Sequence, residues 1–106
     1  MSIKIIDAPT LNDWLAKKTA VLVDVREPEE NDAENIPGAI LIPLNTLSTK
    51  NLPETSNKKL VFHCKAGKRS YNACEKLVAS DPSLEVYSLE GGIGAWEKAG
   101  YPVNKK

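Results

Sequence analysis

Leu60-Val61-Phe62-His63-Cys64-Lys65-Ala66-Gly67-Lys68-Arg69-Ser70 decides how this chain is read. Leu60 to His63 is an apolar, β-prone run that predicts a strand ending at a cysteine. A short loop with one glycine and three cations follows. Ser70 then opens an amphipathic helix running to Ser80, with Cys74, Leu77 and Val78 on one face. A thiol at a strand tip, beside loop N–H groups and a helix N-terminus, has its pKa depressed. Such a cradle suits an anionic substrate. The stretch points to a reactive cysteine that handles an oxyanion.

The same strand-to-helix alternation extends in both directions. Ile3 to Ile6 reads as a short strand, and Leu11, Trp14 and Leu15 place a helix over Thr10 to Lys18. Ala20 to Val25 is a buried strand, and Pro28 to Ala33 a short acidic helix. Ile36-Pro37-Gly38-Ala39 has Pro and Gly where a type II turn wants them, and a strand follows over Ala39 to Ile42. Thr46 to Lys50 reads as a helical turn, and Pro53 to Asn57 as loop or short helix. Glu85 to Leu89 is the last strand. Gly92 to Lys98 is a closing helix ended by Gly100. The pattern predicts one α/β domain over residues 1–106, with a mostly parallel sheet.

Composition narrows the function classes. The chain has 106 residues, enough for one core without disulfide staples. Its 14 cations balance its 14 acids, which argues against bulk nucleic-acid or membrane-surface binding. No apolar run approaches the roughly 18 residues of a membrane span, and no secretory signal is visible. With two cysteines and one histidine, neither a structural zinc site nor a disulfide framework is expected, and a reducing cytosolic compartment fits.

In parallel sheets chemistry gathers at the carboxyl ends of strands. Three such ends carry informative residues: Asp24 with Arg26, the Cys64 loop, and Glu90 before Gly91 and Gly92. Gly67 lets the loop backbone turn the N–H groups of residues 65 to 69 toward the sulfur. Lys65, Lys68 and Arg69 add positive field, and Arg26 is placed to pair with Glu90. Cys74 reads as core. His63 alternates with Cys64 along a strand and so faces away from the sulfur. Trp14 and Trp96 read as helix-docking anchors. The acids Glu27, Glu29, Glu30, Asp32 and Glu34 read as a solvated helix face.

Four segments together resemble a rhodanese-type sulfurtransferase: Val23-Asp24-Val25-Arg26-Glu27-Pro28-Glu29-Glu30, Ile36-Pro37-Gly38-Ala39-Ile40, Cys64-Lys65-Ala66-Gly67-Lys68-Arg69-Ser70 and Leu89-Glu90-Gly91-Gly92-Ile93-Gly94-Ala95-Trp96. Their order and spacing cover nearly the whole chain. One departure stands out: Asn31-Asp32-Ala33-Glu34-Asn35 replaces the family's usual Gly-His pair before the turn. The resemblance implies a rhodanese-like, five-stranded, mostly parallel sheet with helices on both faces. It implies that Cys64 carries sulfur as a persulfide, with thiosulfate or another sulfane-sulfur donor and a thiol, cyanide or protein acceptor. Residues 65 to 69 (Lys65, Ala66, Gly67, Lys68, Arg69) would form the anion loop, and Asp24, Arg26 and Glu90 would support its rim. No cofactor beyond the covalent persulfide and no metal is implied. The sequence is also similar to the cytosolic rhodanese domain of membrane-anchored bacterial sulfurtransferases. That implies a cytoplasmic location, either free or as part of an anchored protein. Two alternatives stand beside transferase activity. One is a sulfur-carrier or redox-sensing interaction module. The other is a cysteine phosphatase or arsenate reductase, whose signature loop is one residue longer than Cys64 to Arg69.

Overall fold

A computed structural model describes residues 2–106. The elements in chain order are β1 (Ser2–Ile6), α1 (Ala8–Ala16), β2 (Ala20–Asp24), α2 (Pro28–Ala33), β3 (Glu34–Asn35) and β4 (Ile40–Leu41). A 3₁₀ turn (Leu44–Thr46) precedes β5 (Lys59–His63), α3 (Lys68–Ser80), β6 (Glu85–Leu89), α4 (Gly92–Lys98) and β7 (Asn104–Lys105). Five strands form one sheet in the order β1-β6-β5-β2-β4, and every neighbouring pair is parallel.

Burial on both faces explains the near-continuous apolar character of the central strands. Along β5, Leu60, Phe62 and Cys64 join one core with Val23, Val25, Val86 and the α3 residues Ala73, Cys74, Leu77 and Val78. Val61 joins the opposite core with Leu22, Leu89, Leu11 of α1 and Ile93 and Trp96 of α4. The fold is therefore three-layered, with α3 on one face and α1 and α4 on the other. Trp14 meets the Tyr87 ring edge-on at 5.1 Å, and the Trp96 indole N–H donates to the Pro102 carbonyl at 2.8 Å. Both tryptophans dock helices, as their spacing suggested.

Several boundaries move, each for a local reason. Helix α1 begins at Ala8, not Thr10, because the Asp7 carboxylate accepts from the Thr10 N–H at 3.0 Å and caps the turn that holds Pro9. Helix α3 begins at Lys68, two residues before Ser70, because Gly67 in the left-handed region (φ +108°) closes the loop there. The helical turn expected at Thr46–Lys50 lies earlier, at Leu44–Thr46. There the Leu44 N–H donates to the Val25 carbonyl at 3.1 Å, and buried Leu47 (1% exposed), itself extended, ends the turn. Pro53–Asn57 is loop. The Ile36–Ala39 turn forms as expected, with Gly38 at φ +87° and the Ala39 N–H on the Ile36 carbonyl at 3.1 Å.

The antiparallel ribbon of β3 and β7 was not legible beforehand. Its first strand, β3, lies at the end of the Asn31–Asn35 segment. Asparagines stitch it together: Asn35 Nδ2 donates to the Asn31 carbonyl at 2.9 Å, and Asn104 Nδ2 donates to Asn35 Oδ1 at 3.0 Å.

At the carboxyl end of β2, Asp24 and Arg26 are 0% and 2% exposed. The guanidinium donates from Nε to Asp24 Oδ1 at 3.0 Å and from Nη2 to Oδ2 at 2.8 Å. It also reaches the Glu34 carbonyl at 2.7 Å, while Asn31 Nδ2 donates to the same carboxylate at 3.0 Å. Burial pushes the Asp24 carboxyl up. The Arg26 hydrogen bonds, the His63 charge and the Asn31 amide outweigh it and hold the pKa below its ordinary value. Arg26 thus turns inward to Asp24 and Glu34, and the pairing with Glu90 is not made: Glu90 is exposed at the end of β6. Losing one partner of a buried pair leaves the other charge uncompensated. Asp24→Asn should cost about 3–5 kcal/mol in urea unfolding near neutral pH. A cost near zero would show that Arg26 finds solvent or another acceptor.

Candidate active site

Parallel pairing brings the ends of β2, β5 and β6 to one rim, and the segment from Cys64 to Gly67 joins β5 to α3 there. Cys64 is 1% exposed. Its Sγ accepts the Gly67 N–H at 3.0 Å and lies 3.7 Å from Ser70 Oγ. The Ser70 hydroxyl donates to the Gly67 carbonyl at 3.1 Å and sits 2.8 Å from Ser88 Oγ of β6. Burial pushes the thiol pKa up. The Ser70 backbone, the Ser70 hydroxyl beside the sulfur, and the Gly67 and Ala66 backbone outweigh that and bring it below its ordinary value. Of the N–H groups expected to turn inward over 65–69, that of Gly67 hydrogen-bonds the sulfur. Ser70 and Ser88 are the members that sequence reasoning passed over. In the sequence Ser70 reads only as a helix start, and nothing in the pattern places Ser88 across from it.

The orientation of the loop depends on its carbonyls. The first turn of α4 donates from the Ile93 N–H to the Cys64 carbonyl at 2.8 Å and from the Gly94 N–H to the Lys65 carbonyl at 3.2 Å. His63 Nδ1 is 3.2 Å from the same Cys64 carbonyl, which can only accept, so Nδ1 carries the proton. Its Nε2 is buried 3.9 Å from Asp24 Oδ2 and has no hydrogen-bond partner among the described residues. Burial holds the imidazole pKa down against the opposing Asp24 charge. His63 therefore faces the α1/α4 side, as the alternation predicted, and steadies the Cys64 carbonyl instead of the sulfur. Gly92 (φ +58°) lets α4 approach this closely, since a Cβ there would collide with the Cys64 and Lys65 backbone.

The three loop cations separate in the structure. Lys65 and Lys68 are exposed, and neither enters an ion pair among the described residues. Arg69 instead makes a two-pronged bond to Glu30 of α2, with Nη1 to Oε1 at 2.7 Å and Nη2 to Oε2 at 2.9 Å. Glu30 Oε1 also accepts the Glu27 N–H at 3.0 Å, completing the capping box of α2. The acidic run is therefore not uniformly solvated. The Arg69 hydrogen bonds outweigh partial burial and lower the Glu30 carboxyl to about 2. Cys74 lies fully buried in the α3 core, where burial pushes its thiol up to about 12.

A strand-tip cysteine that accepts a loop N–H thus sits on a parallel sheet between helix layers. Residues 7–99 match the Rhodanese-like domain, and the chain belongs to that family. A protein of Allochromatium vinosum named sulfurtransferase is 33% identical over 99 residues, covering 92% of each chain. The Synechocystis protein slr1261 is 38% identical over 96 residues, or 91% of this chain. The match covers 53% of that relative, so this chain spans about half its length. The crystal structure of a rhodanese-related protein from Thermoplasma volcanium superposes with a TM-score of 0.82 at 34% identity, covering 97% of this chain and 99% of that one.

Two outcomes test the loop's supports. Gly92→Ala should destabilise the fold by about 2 kcal/mol or more and slow alkylation of Cys64, because α4 must retreat from the loop carbonyls. Glu30→Gln should lower the melting temperature near neutral pH. The Glu30 contribution is complete above its ordinary value of 4.5 and fades as pH falls toward about 2, so the two melting curves should converge on acidification. A difference that persists unchanged at about pH 2 would assign the loss to something other than the Glu30 charge.

Proposed function

We propose that this protein is a sulfurtransferase that works through a persulfide on Cys64, with thiosulfate as a donor. The observation that carries the reading is the Gly67 N–H at 3.0 Å from Sγ, in a loop whose donors lower the thiol pKa despite near-complete burial. The Cys64 thiolate attacks the outer sulfur of thiosulfate, a new S–S bond forms, and the old one breaks with its electron pair going to departing sulfite. The loop N–H groups stabilise the anionic outer sulfur where it forms. Exposed Lys65 and Lys68 draw in the dianion and hold the sulfite as it leaves. Arg69, bound to Glu30, orders the loop instead of gripping the donor. A thiol, cyanide or protein cysteine then takes the sulfur and restores the Cys64 thiolate.

Family membership and the name of the Allochromatium relative support transferase chemistry. Phosphoryl transfer fits less well. It calls for an arginine reaching equatorial oxygens above the cysteine, and Arg69 is engaged with Glu30 at 2.7 Å. A reducing cytoplasmic setting suits Cys64 and Cys74, which are both free. Among the described residues no helix is long and apolar enough to cross a membrane.

The decisive measurement is intact mass after thiosulfate. The wild type should gain one sulfur atom, which dithiothreitol removes. Cys64→Ser should gain none and should lose cyanide-dependent turnover, whereas Cys74→Ser should keep most of it. The alkylation rate of Cys64 should rise with pH through a midpoint below that of an ordinary thiol. Sulfur carried on Cys64 but never released to cyanide or a thiol would favour the carrier module. Turnover of aryl phosphate dependent on Cys64 would sink the proposal.

A further inference from the structure

Two cavities lie end to end where edge strand β1 meets α3, and they lead to the Cys64 loop. The nearer, of about 200 Å³, is walled by Ile5, Tyr71 and Glu90 and closes on Gly67 and Gly91. The farther, of about 310 Å³, is walled by Ile3, Tyr71, Glu75 and Val78. Tyr71 lines both, so the two adjoin at its ring, and together they are taken as one groove along β1. Ile5 at 57% and Tyr71 at 37% are two of the three large apolar side chains left exposed among the described residues. The third, Ile40, belongs to β4 at the far edge of the sheet. A concentration of apolar surface beside a reactive loop marks a contact site.

Charge and backbone specify what fits. Glu75 and Glu90 are the charged residues in the two linings, and neither lining includes a lysine or arginine. Strand β1 pairs with β6 alone, so its outer N–H and C=O groups are open to an added strand. Ile3 and Ile5 share the face toward α3, whereas Lys4 alternates to the other. The open edge favours an extended chain, the isoleucines and tyrosine favour apolar side chains at alternate positions, and the glutamates favour cations between them.

We infer that this groove seats an extended segment of a protein sulfur acceptor, with apolar residues alternating with lysine or arginine. The inference rests on the sulfurtransferase reading and identifies its acceptor class. With the segment in the groove, its cysteine reaches the outer sulfur at the Gly67 end. The acceptor thiolate attacks that sulfur, a new acceptor S–S bond forms, and the bond to Cys64 breaks with its electron pair returning to Cys64 as thiolate. The acceptor leaves as the persulfide, with no net oxidant consumed.

The test has a binding arm and a transfer arm. A fluorescein-labelled peptide of alternating leucine and lysine ending in cysteine is titrated into the Cys64→Ser chain and followed by anisotropy. Ile5→Lys and Glu75→Lys, each added to that background, should weaken binding about tenfold. The matching leucine–glutamate peptide should bind poorly to the parent. In the transfer arm, persulfidated protein passes sulfur to the unlabelled leucine–lysine peptide or to cyanide. The same two changes, made on exposed residues, should slow transfer to the peptide about tenfold and leave transfer to cyanide unchanged. Equal binding of both peptides, or insensitivity to both substitutions, overturns the inference. So does concentration-dependent dimerisation abolished by the same changes, since a second copy would then occupy the groove. Absence of transfer to cyanide by the wild type would overturn the sulfurtransferase reading instead, and the binding arm would still decide the groove.

Discussion

The Cys64 and Lys65 carbonyls are held away from the sulfur by the first turn of α4, and the site depends on that constraint. A peptide unit has two ends. When its C=O is fixed outward, the following N–H groups are free to turn inward. Ile93 and Gly94 supply donors that a helix start leaves unsatisfied in any case, so two deficits are settled together. Gly92 is needed because the helix must come within hydrogen-bonding distance of loop backbone. His63 adds a further donor to the Cys64 carbonyl from the opposite side of the strand. The sulfur is thus activated by backbone whose direction is fixed by a different element.

This division of labour explains why a nearly sealed cysteine can still have its pKa lowered below the ordinary thiol value. Burial alone drives a thiol toward its neutral form, as Cys74 shows on the same helix face that packs the core. Cys64 differs because fixed dipoles replace the water it has lost. Their alignment is set on folding and requires no reorganisation when charge appears on sulfur.

How much of this was legible follows from what each signal encodes. The central strands were readable because burial on two faces leaves long apolar runs, as in Ala20–Val25 and Leu60–His63, whereas the helices on both faces came from the family resemblance. The loop was readable because Cys64, Gly67 and the cations are local. Ser88 was not, because its relevance comes from a hydroxyl contact with Ser70 of helix α3, and a serine in a strand carries no distinctive pattern. Glu30 looked like one acid among five. Only the distance to Arg69, 39 residues along the chain, separates it from its solvated neighbours. The β3–β7 ribbon was hidden for a related reason: two residues on each side are too short to show alternation.

The Glu30 carboxylate also bears on how this surface can change by mutation. One side chain both starts α2 and anchors Arg69, so a change at either position is felt in two elements. Replacing Glu30 leaves a guanidinium beside the reactive loop with no counter-charge. Replacing Arg69 leaves a half-buried acid whose pKa relaxes upward. Effects at the two positions are therefore not additive, and the step from this pair to another passes through a worse intermediate. Sequences that drift at this mouth are expected to exchange both residues in close succession or neither.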